Sequence, residues 1–242
     1  MSMRFFLKRA LKLALIFLSL PTFAHEGPFS SVVGYGDSLS DNGNLFAATG
    51  QPSAPYYQGR RSDGPVAVEQ LAAALGAPLR DFAWIGATTG IGNYADGGTT
   101  TTSGLISLPG MQAQLAATQA LLSPYLASGL FVVWGGANDF LAPSPLDLTP
   151  LDVVNRAISN ELGIVASLEL LGARNILVPG MPDLGLTPYF QSLGPIATVQ
   201  ASALTDVFNA ALQSNLASGV SFYDTATLRS AVANPSAYVL PM

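Results

Sequence analysis

The chain has 242 residues, enough for one domain with a core of useful size. Hydrophobic residues make up 49% and charged residues only 10%, which excludes a disordered chain and a coiled coil. Cys is absent, which excludes disulfides, a thiol nucleophile and thiolate metal sites, and the only His is His25.

Residues 1–24 read as a secretory signal. Arg4, Lys8, Arg9 and Lys12 form a basic head, residues 13–20 a short apolar run, and small residues precede a cut expected after Ala24. The alternative is an uncleaved anchor. The run is short for a membrane span and no other stretch approaches one, so no stable span is expected after cleavage. This implies export, to the periplasm or the extracellular space. The remaining domain, residues 25–242, carries six Arg and no Lys against fifteen acidic residues, a net charge of −9. Such a charge repels nucleic acid and anionic membranes, and both are excluded as partners.

The rest alternates apolar strand-like runs with helical stretches, the pattern of an α/β fold with a parallel sheet. The first strand is expected at residues 31–35, ending at Gly36-Asp37-Ser38. A helix follows at 65–75 and a second strand at 80–85, ending at Gly86. The Thr run at 99–102 with its Gly-rich flank reads as a surface loop. A helix is expected at 111–122 and a third strand at 130–134, ending at Gly135-Gly136-Ala137-Asn138-Asp139.

The next helix is marked at both ends. Thr149 suits the N-cap, Pro150 the first helical position, Asp152 the first turn, and Gly172 the stop. Leu151, Val154, Ile158, Leu162 and Val165 recur at helical spacing. A fourth strand is expected at 175–178, a helix at 196–216, a fifth strand at 220–223 and a short helix at 225–232.

In an open parallel sheet, ligands bind beyond the carboxyl ends of the strands, where the strand order reverses. The clusters after strands one, two and three therefore converge on one edge. Ser38, at a sharp strand-to-helix turn, suits a nucleophile attacking a carbonyl, or else a helix cap. Gly86 brings a backbone N–H close to a bound group, or simply makes a turn. Asn138 offers its side-chain amide to an oxyanion, or ends a strand. Asp139 reads as a turn or cap residue, and Asp37 as a residue that orders its loop. Asp37 lacks company as a metal ligand, because Leu39 breaks the alternate-oxygen pattern of a calcium loop.

These residues carry a resemblance. Gly36-Asp37-Ser38-Leu39-Ser40-Asp41, continuing Asn42-Gly43-Asn44, is similar to the first block of the GDSL lipase/esterase family, also called SGNH hydrolases. Phe82-Ala-Trp-Ile-Gly86-Ala-Thr-Thr89 resembles the second block and Gly136-Ala-Asn138-Asp139 the third. Pro55-Tyr-Tyr-Gln-Gly-Arg60, Asp63-Gly-Pro65, Leu108-Pro-Gly-Met-Gln112 and Pro182-Asp-Leu-Gly185 also agree, and the likeness runs from about Phe29 to about Tyr238. The resemblance implies a flavodoxin-like three-layer α/β/α sandwich on a five-stranded parallel sheet. It implies ester hydrolysis through an acyl-enzyme, on a small-molecule or lipid ester. Ser38 would be the nucleophile, and the N–H groups of Ser38 and Gly86 with the side chain of Asn138 would form the oxyanion hole. No metal or organic cofactor is implied.

The family's last block, Asp-x-x-His, supplies the general base and is not found here. By the same resemblance the final loop and final C-terminal helix are missing. The domain is expected to be C-terminally incomplete, with an exposed sheet face and marginal stability. His25 lies ahead of strand one, at the wrong end for the missing base, and Asp224 reads as a cap on the short helix after it. The alternatives are a non-catalytic pseudoenzyme that binds an ester, acyl chain or glycan, and a non-functional fragment.

Overall fold

The computed structural model describes residues 27–225 together with 228 and 229. The signal-like segment, His25 and the end of the chain lie outside the described residues, as does most of the short helix expected at 225–232.

Among the described residues, five strands form one parallel sheet: β1 (Val32–Gly36), β2 (Leu79–Asp81), β3 (Leu130–Trp134), β4 (Asn175–Pro179) and β5 (Ser221–Tyr223). Their order is β2-β1-β3-β4-β5. This is the doubly wound, flavodoxin-like order, whose switch point lies between β1 and β3. Those two strands pair along their full length, from Val32 opposite Leu130 to Gly36 opposite Trp134. Both are buried throughout, as near-continuous apolar runs in a covered parallel sheet must be.

Among the described residues, the helices α1 (Asn44–Thr49), α2 (Ala67–Ala74), α3 (Met111–Thr118), α4 (Ala137–Leu141), α5 (Pro150–Leu171), α6 (Pro188–Ser192) and α7 (Pro195–Asn215) accompany the strands. The two-residue period of the strands splits the core. Val33, Tyr35, Phe131 and Val133 face one side and pack with residues of α3, α5 and α7. Val32, Leu130, Val132 and Trp134 face the other and pack with Val68 and Ala72 of α2. The result is the expected three-layer α/β/α sandwich. Among the described residues no helix is long and apolar enough to cross a membrane.

Helix α5 starts and stops where its end signals indicate. Thr149 and Asp152 form a reciprocal capping box, and Gly172 closes the helix at φ +105°. Val154, Ile158 and Val165 are buried as expected, but Leu151 lies outside the buried stripe and Glu161 lies in it.

Three elements depart from expectation. The second strand shortens to Leu79–Asp81, because the Asp81 carboxyl turns inward to accept the N–H groups of Asn42 and Ala83. The chain still runs along β1, with Phe82 N–H donating to Gly34 and Trp84 N–H to Gly36. Helix α3 gives way to a 3-10 turn after Thr118, whose hydroxyl bonds back to the Gln114 carbonyl and also to the Tyr35 hydroxyl. The Thr run is no simple surface loop: Thr100 is buried and its hydroxyl donates to Asp139.

Candidate active site

The carboxyl end of β1 is held from three sides. Gln114 of α3 accepts from the Gly36 N–H and donates to the Gly36 carbonyl, at 3.1 and 2.8 Å. The Trp84 N–H donates to the same carbonyl, which ties the second loop to the first. Asp37 is buried, and its carboxyl accepts the Leu39 N–H at 3.0 Å. That bond orders the turn at Ser38, the loop-ordering role expected of Asp37. Ser38 itself is half-buried.

Asp41 fixes the same loop from the other end. Its buried carboxyl accepts the N–H groups of Gly43, Asn44 and Leu45, which caps α1, and the N–H of Ile85 at 2.7 Å. One side chain thus sets the loop after β1 and the loop that carries Gly86.

Gly86 has φ +82°, a left-handed conformation that an L side chain rarely adopts. A Cβ there would come within 2.5 Å of Asn93 Oδ1 and 2.9 Å of the Ala95 nitrogen. Asn93 holds the turn by donating to Ile85 and accepting from Ala95.

Asn138, in the first turn of α4, joins the loops. Its amide nitrogen donates to the Ala87 carbonyl at 3.0 Å and to Asp37 Oδ2 at 3.3 Å. These acceptors are the chain neighbours of Gly86 and Ser38. The three candidate residues therefore meet at the switch point. Among the described residues, no hydrogen bond engages the N–H of Ser38 or Gly86, or the Ser38 hydroxyl.

Asp139 is a structural clamp. Fully buried, it accepts the Thr89 N–H, the Thr89 and Thr100 hydroxyls, and a 3.5 Å contact from Arg156. Arg156 also pairs with Asp147. Burial raises the Asp139 carboxyl above the usual range, against the pull of these donors.

A second buried carboxyl lies in the same neighbourhood. Glu161 of α5 has neither oxygen hydrogen-bonded. The Gly135 N–H lies near it, outside hydrogen-bond geometry. Burial, then the charges of Asp139 and Asp37, raise its pKa well above the ordinary value. Burial likewise pushes Asp37 up to about 7, despite the Leu39 N–H and with a further push from Asp139. Among the described residues no group of three or more His, Cys, Asp or Glu is arranged to hold a metal ion.

A cavity of about 270 Å3 opens beside Ser38. Its walls include Asp37, Asn138, Leu141, Leu184 and Phe190 and are mainly apolar. The sequence reading missed Leu184 and Phe190, which come from the chain after β4. It also missed Gln114, Asp41 and Glu161. Asp41 had a visible signal, an Asp just ahead of Gly43-Asn44 at a helix start. Glu161 had another, a carboxyl three residues after Ile158 on an apolar stripe.

The family model for GDSL-like lipase/acylhydrolase matches residues 32–234. A phosphatidylcholine-sterol acyltransferase of Aeromonas hydrophila is 33% identical, over 85% of this chain and 59% of that protein. Esterase EstA of Pseudomonas aeruginosa is 30% identical, over 92% of this chain and 40% of that protein. The chain thus spans less than two thirds of the length of either relative. A solved family two carbohydrate esterase from Clostridium thermocellum aligns with a TM-score of 0.48 and 14% identity, over 81% of this chain and 54% of that one.

Proposed function

We propose, from the premise that this chain belongs to the GDSL-like lipase/acylhydrolase family, that it is a serine ester hydrolase acting through an acyl-enzyme. In this reading Ser38 Oγ attacks the ester carbonyl carbon and the alcohol departs. Water then releases the acid. The N–H groups of Ser38 and Gly86 and the amide of Asn138 receive the charge that develops on the carbonyl oxygen.

One observation carries the reading. The Asn138 amide bridges Ala87 and Asp37, which brings the three candidates to one point beside an apolar cavity. Of its two bonds, the 3.3 Å contact to Asp37 is the weaker, and it is the one released when an oxyanion forms. The relatives' names, an esterase and an acyltransferase of phosphatidylcholine and sterol, support an acyl ester as substrate. The basic head and apolar run of residues 1–24 support export, which N-terminal sequencing of the secreted product tests.

A second reading, an ester or acyl binder without turnover, has its own support. Among the described residues no His, Asp or Glu hydrogen-bonds the Ser38 hydroxyl, and a Ser without a base is a poor nucleophile. Hydrolysis of p-nitrophenyl butanoate separates the two. Turnover abolished by Ser38→Ala supports the hydrolase. Saturable binding with no turnover supports the binder and overturns the first reading.

A further inference from the structure

The Ser38 cavity shares a wall with a second, larger one. This outer cavity, of about 380 Å3, is lined by Phe140, Val153, Ala197, Ala201 and Leu204. Leu184 and Phe190 line both spaces. Adjacent residues of α4 also divide between them, Leu141 to the inner and Phe140 to the outer.

The two halves of the partition are held differently. Leu184 is buried, and its N–H is tied to the Thr205 hydroxyl at 3.2 Å. Phe190 is only half-buried at the margin of the core, on the five-residue α6, its N–H held by a longer 3.4 Å bond to the Thr187 hydroxyl, and it packs edge-on against the 55% exposed Tyr189. Phe190 is therefore the leaf that can turn aside, and Leu184 the fixed post. The polar groups of the outer cavity are placed so that an alkyl tail meets no lone charge. Asp147 is paired with Arg156, and Leu148 beside it is 90% exposed at the opening.

Resting on the hydrolase-or-binder reading of Ser38, we infer that the two cavities form one acyl site for unbranched medium-chain acyl groups, with Phe190 as the partition that a longer chain displaces. A short acyl group fills the inner space alone. A chain of about eight to ten carbons passes Phe190 and buries its end in the outer space, each buried methylene strengthening binding roughly fourfold. Acetyl groups on a glycan leave the outer cavity unused.

The test uses the full chain and p-nitrophenyl esters from acetate to dodecanoate. The readout is the ratio of kcat/KM for decanoate to that for butanoate. Ala197→Trp, which fills the outer cavity from a half-buried position, should lower that ratio at least tenfold. Phe190→Ala, which opens the partition, should raise it. Equal effects of either variant on every chain length overturn the proposal. Calorimetric binding of decanoate and butanoate to Ser38→Ala is read in parallel. If no ester is turned over, the hydrolase reading fails alone provided decanoate binds more tightly than butanoate and Ala197→Trp removes the difference. If the two acids bind alike, the acyl site is wrong.

Discussion

Asn138 and Asp37 face each other across the β1–β3 switch point, with the Asn138 amide 3.3 Å from Asp37 Oδ2. The donor is mostly buried and the acceptor almost wholly so. Removing the amide takes a donor from the Asp37 Oδ2 and from the Ala87 carbonyl, both held in mostly buried surroundings. Asn138→Ala should therefore cost roughly 1–3 kcal/mol of stability, read as a lower urea midpoint. If Ser38 turns over esters, the same change should lower kcat about 100-fold or more with little effect on KM. A loss confined to KM would count against an oxyanion role.

Asp139 follows Asn138 in the chain and serves a different end. Its carboxylate holds Thr89, Thr100 and Arg156 together, so it secures the second loop and the Thr run against α5. Asp139→Ala leaves a buried N–H, two hydroxyls and part of a guanidinium without their acceptor. A loss of about 3–5 kcal/mol is expected, the range for one partner removed from a buried charge pair. Thermal melting of the purified variant checks it, and a change below about 1 kcal/mol would show the clamp to be dispensable.

How far the site was legible in the sequence depended on the range of each interaction. Strand β3 and helix α5 have their signals within a few residues: an unbroken apolar run, and the Thr149, Pro150 and Gly172 punctuation. The meeting of Ser38, Gly86 and Asn138 was legible because three chemical clusters follow three parallel strands, and the topology alone brings those ends to one edge. What holds them there was not. Gln114 reaches Gly36 over 78 residues and Asp41 reaches Ile85 over 44. Neither pairing leaves a local trace. Leu184 and Phe190 look like ordinary loop hydrophobics until the chain after β4 folds back over Ser38.

The carboxyls buried around the sheet make stability depend on pH in an unusual direction. Burial pushes Asp37 and Asp81 up to about 7 and Glu161 well above its ordinary value. A carboxyl whose folded pKa is raised favours the fold while both states are protonated. Its charged form disfavours the fold as pH climbs from the unfolded pKa to the folded one. Asp37 and Asp81 therefore lose stability progressively as pH climbs from about 4 to 7, and Glu161 acts in the same direction. Two others act oppositely. The hydrogen bond from Arg156 holds Asp147 low, and burial lifts Glu69 but Arg60 more than reverses it. Their contribution is present above the unfolded pKa and is lost below about pH 4. Urea titrations should give the highest midpoint near pH 5 and a lower one at pH 8, and Asp81→Asn should flatten the decline. A midpoint that rises from pH 5 to 8 would refute this assignment.

Glu161 is the sharpest case, since it is fully buried on α5 and neither carboxyl oxygen is hydrogen-bonded. Glu161→Leu keeps a side chain of similar volume and removes the desolvated carboxyl. Replacement of such a group by a well-packed apolar one is neutral or stabilising by about 1–3 kcal/mol. The variant should melt higher at pH 8 than the parent, with a smaller gain at pH 3, where the parent's Glu161 is mainly protonated in both states. A variant that melts lower at both pH values would mean that Glu161 has a partner in solution.

Gly86 tests the backbone rather than a side chain. At φ +82° an alanine is strained wherever its methyl goes, and here the methyl would press on Asn93 Oδ1 and the Ala95 nitrogen. One neighbour is backbone and the other is locked by bonds to Ile85 and Ala95, so neither can yield cheaply. Strain in the left-handed region alone costs about 1 kcal/mol, and the close contacts add to it. Gly86→Ala should lower the urea midpoint by the equivalent of roughly 2–4 kcal/mol. If the Gly86 N–H receives the oxyanion, displacement of that turn should lower kcat further than the loss of folded protein explains. Measuring active-site-normalised kcat on the folded fraction separates the two effects. A normal kcat there would leave Gly86 a packing residue and remove it from the oxyanion site.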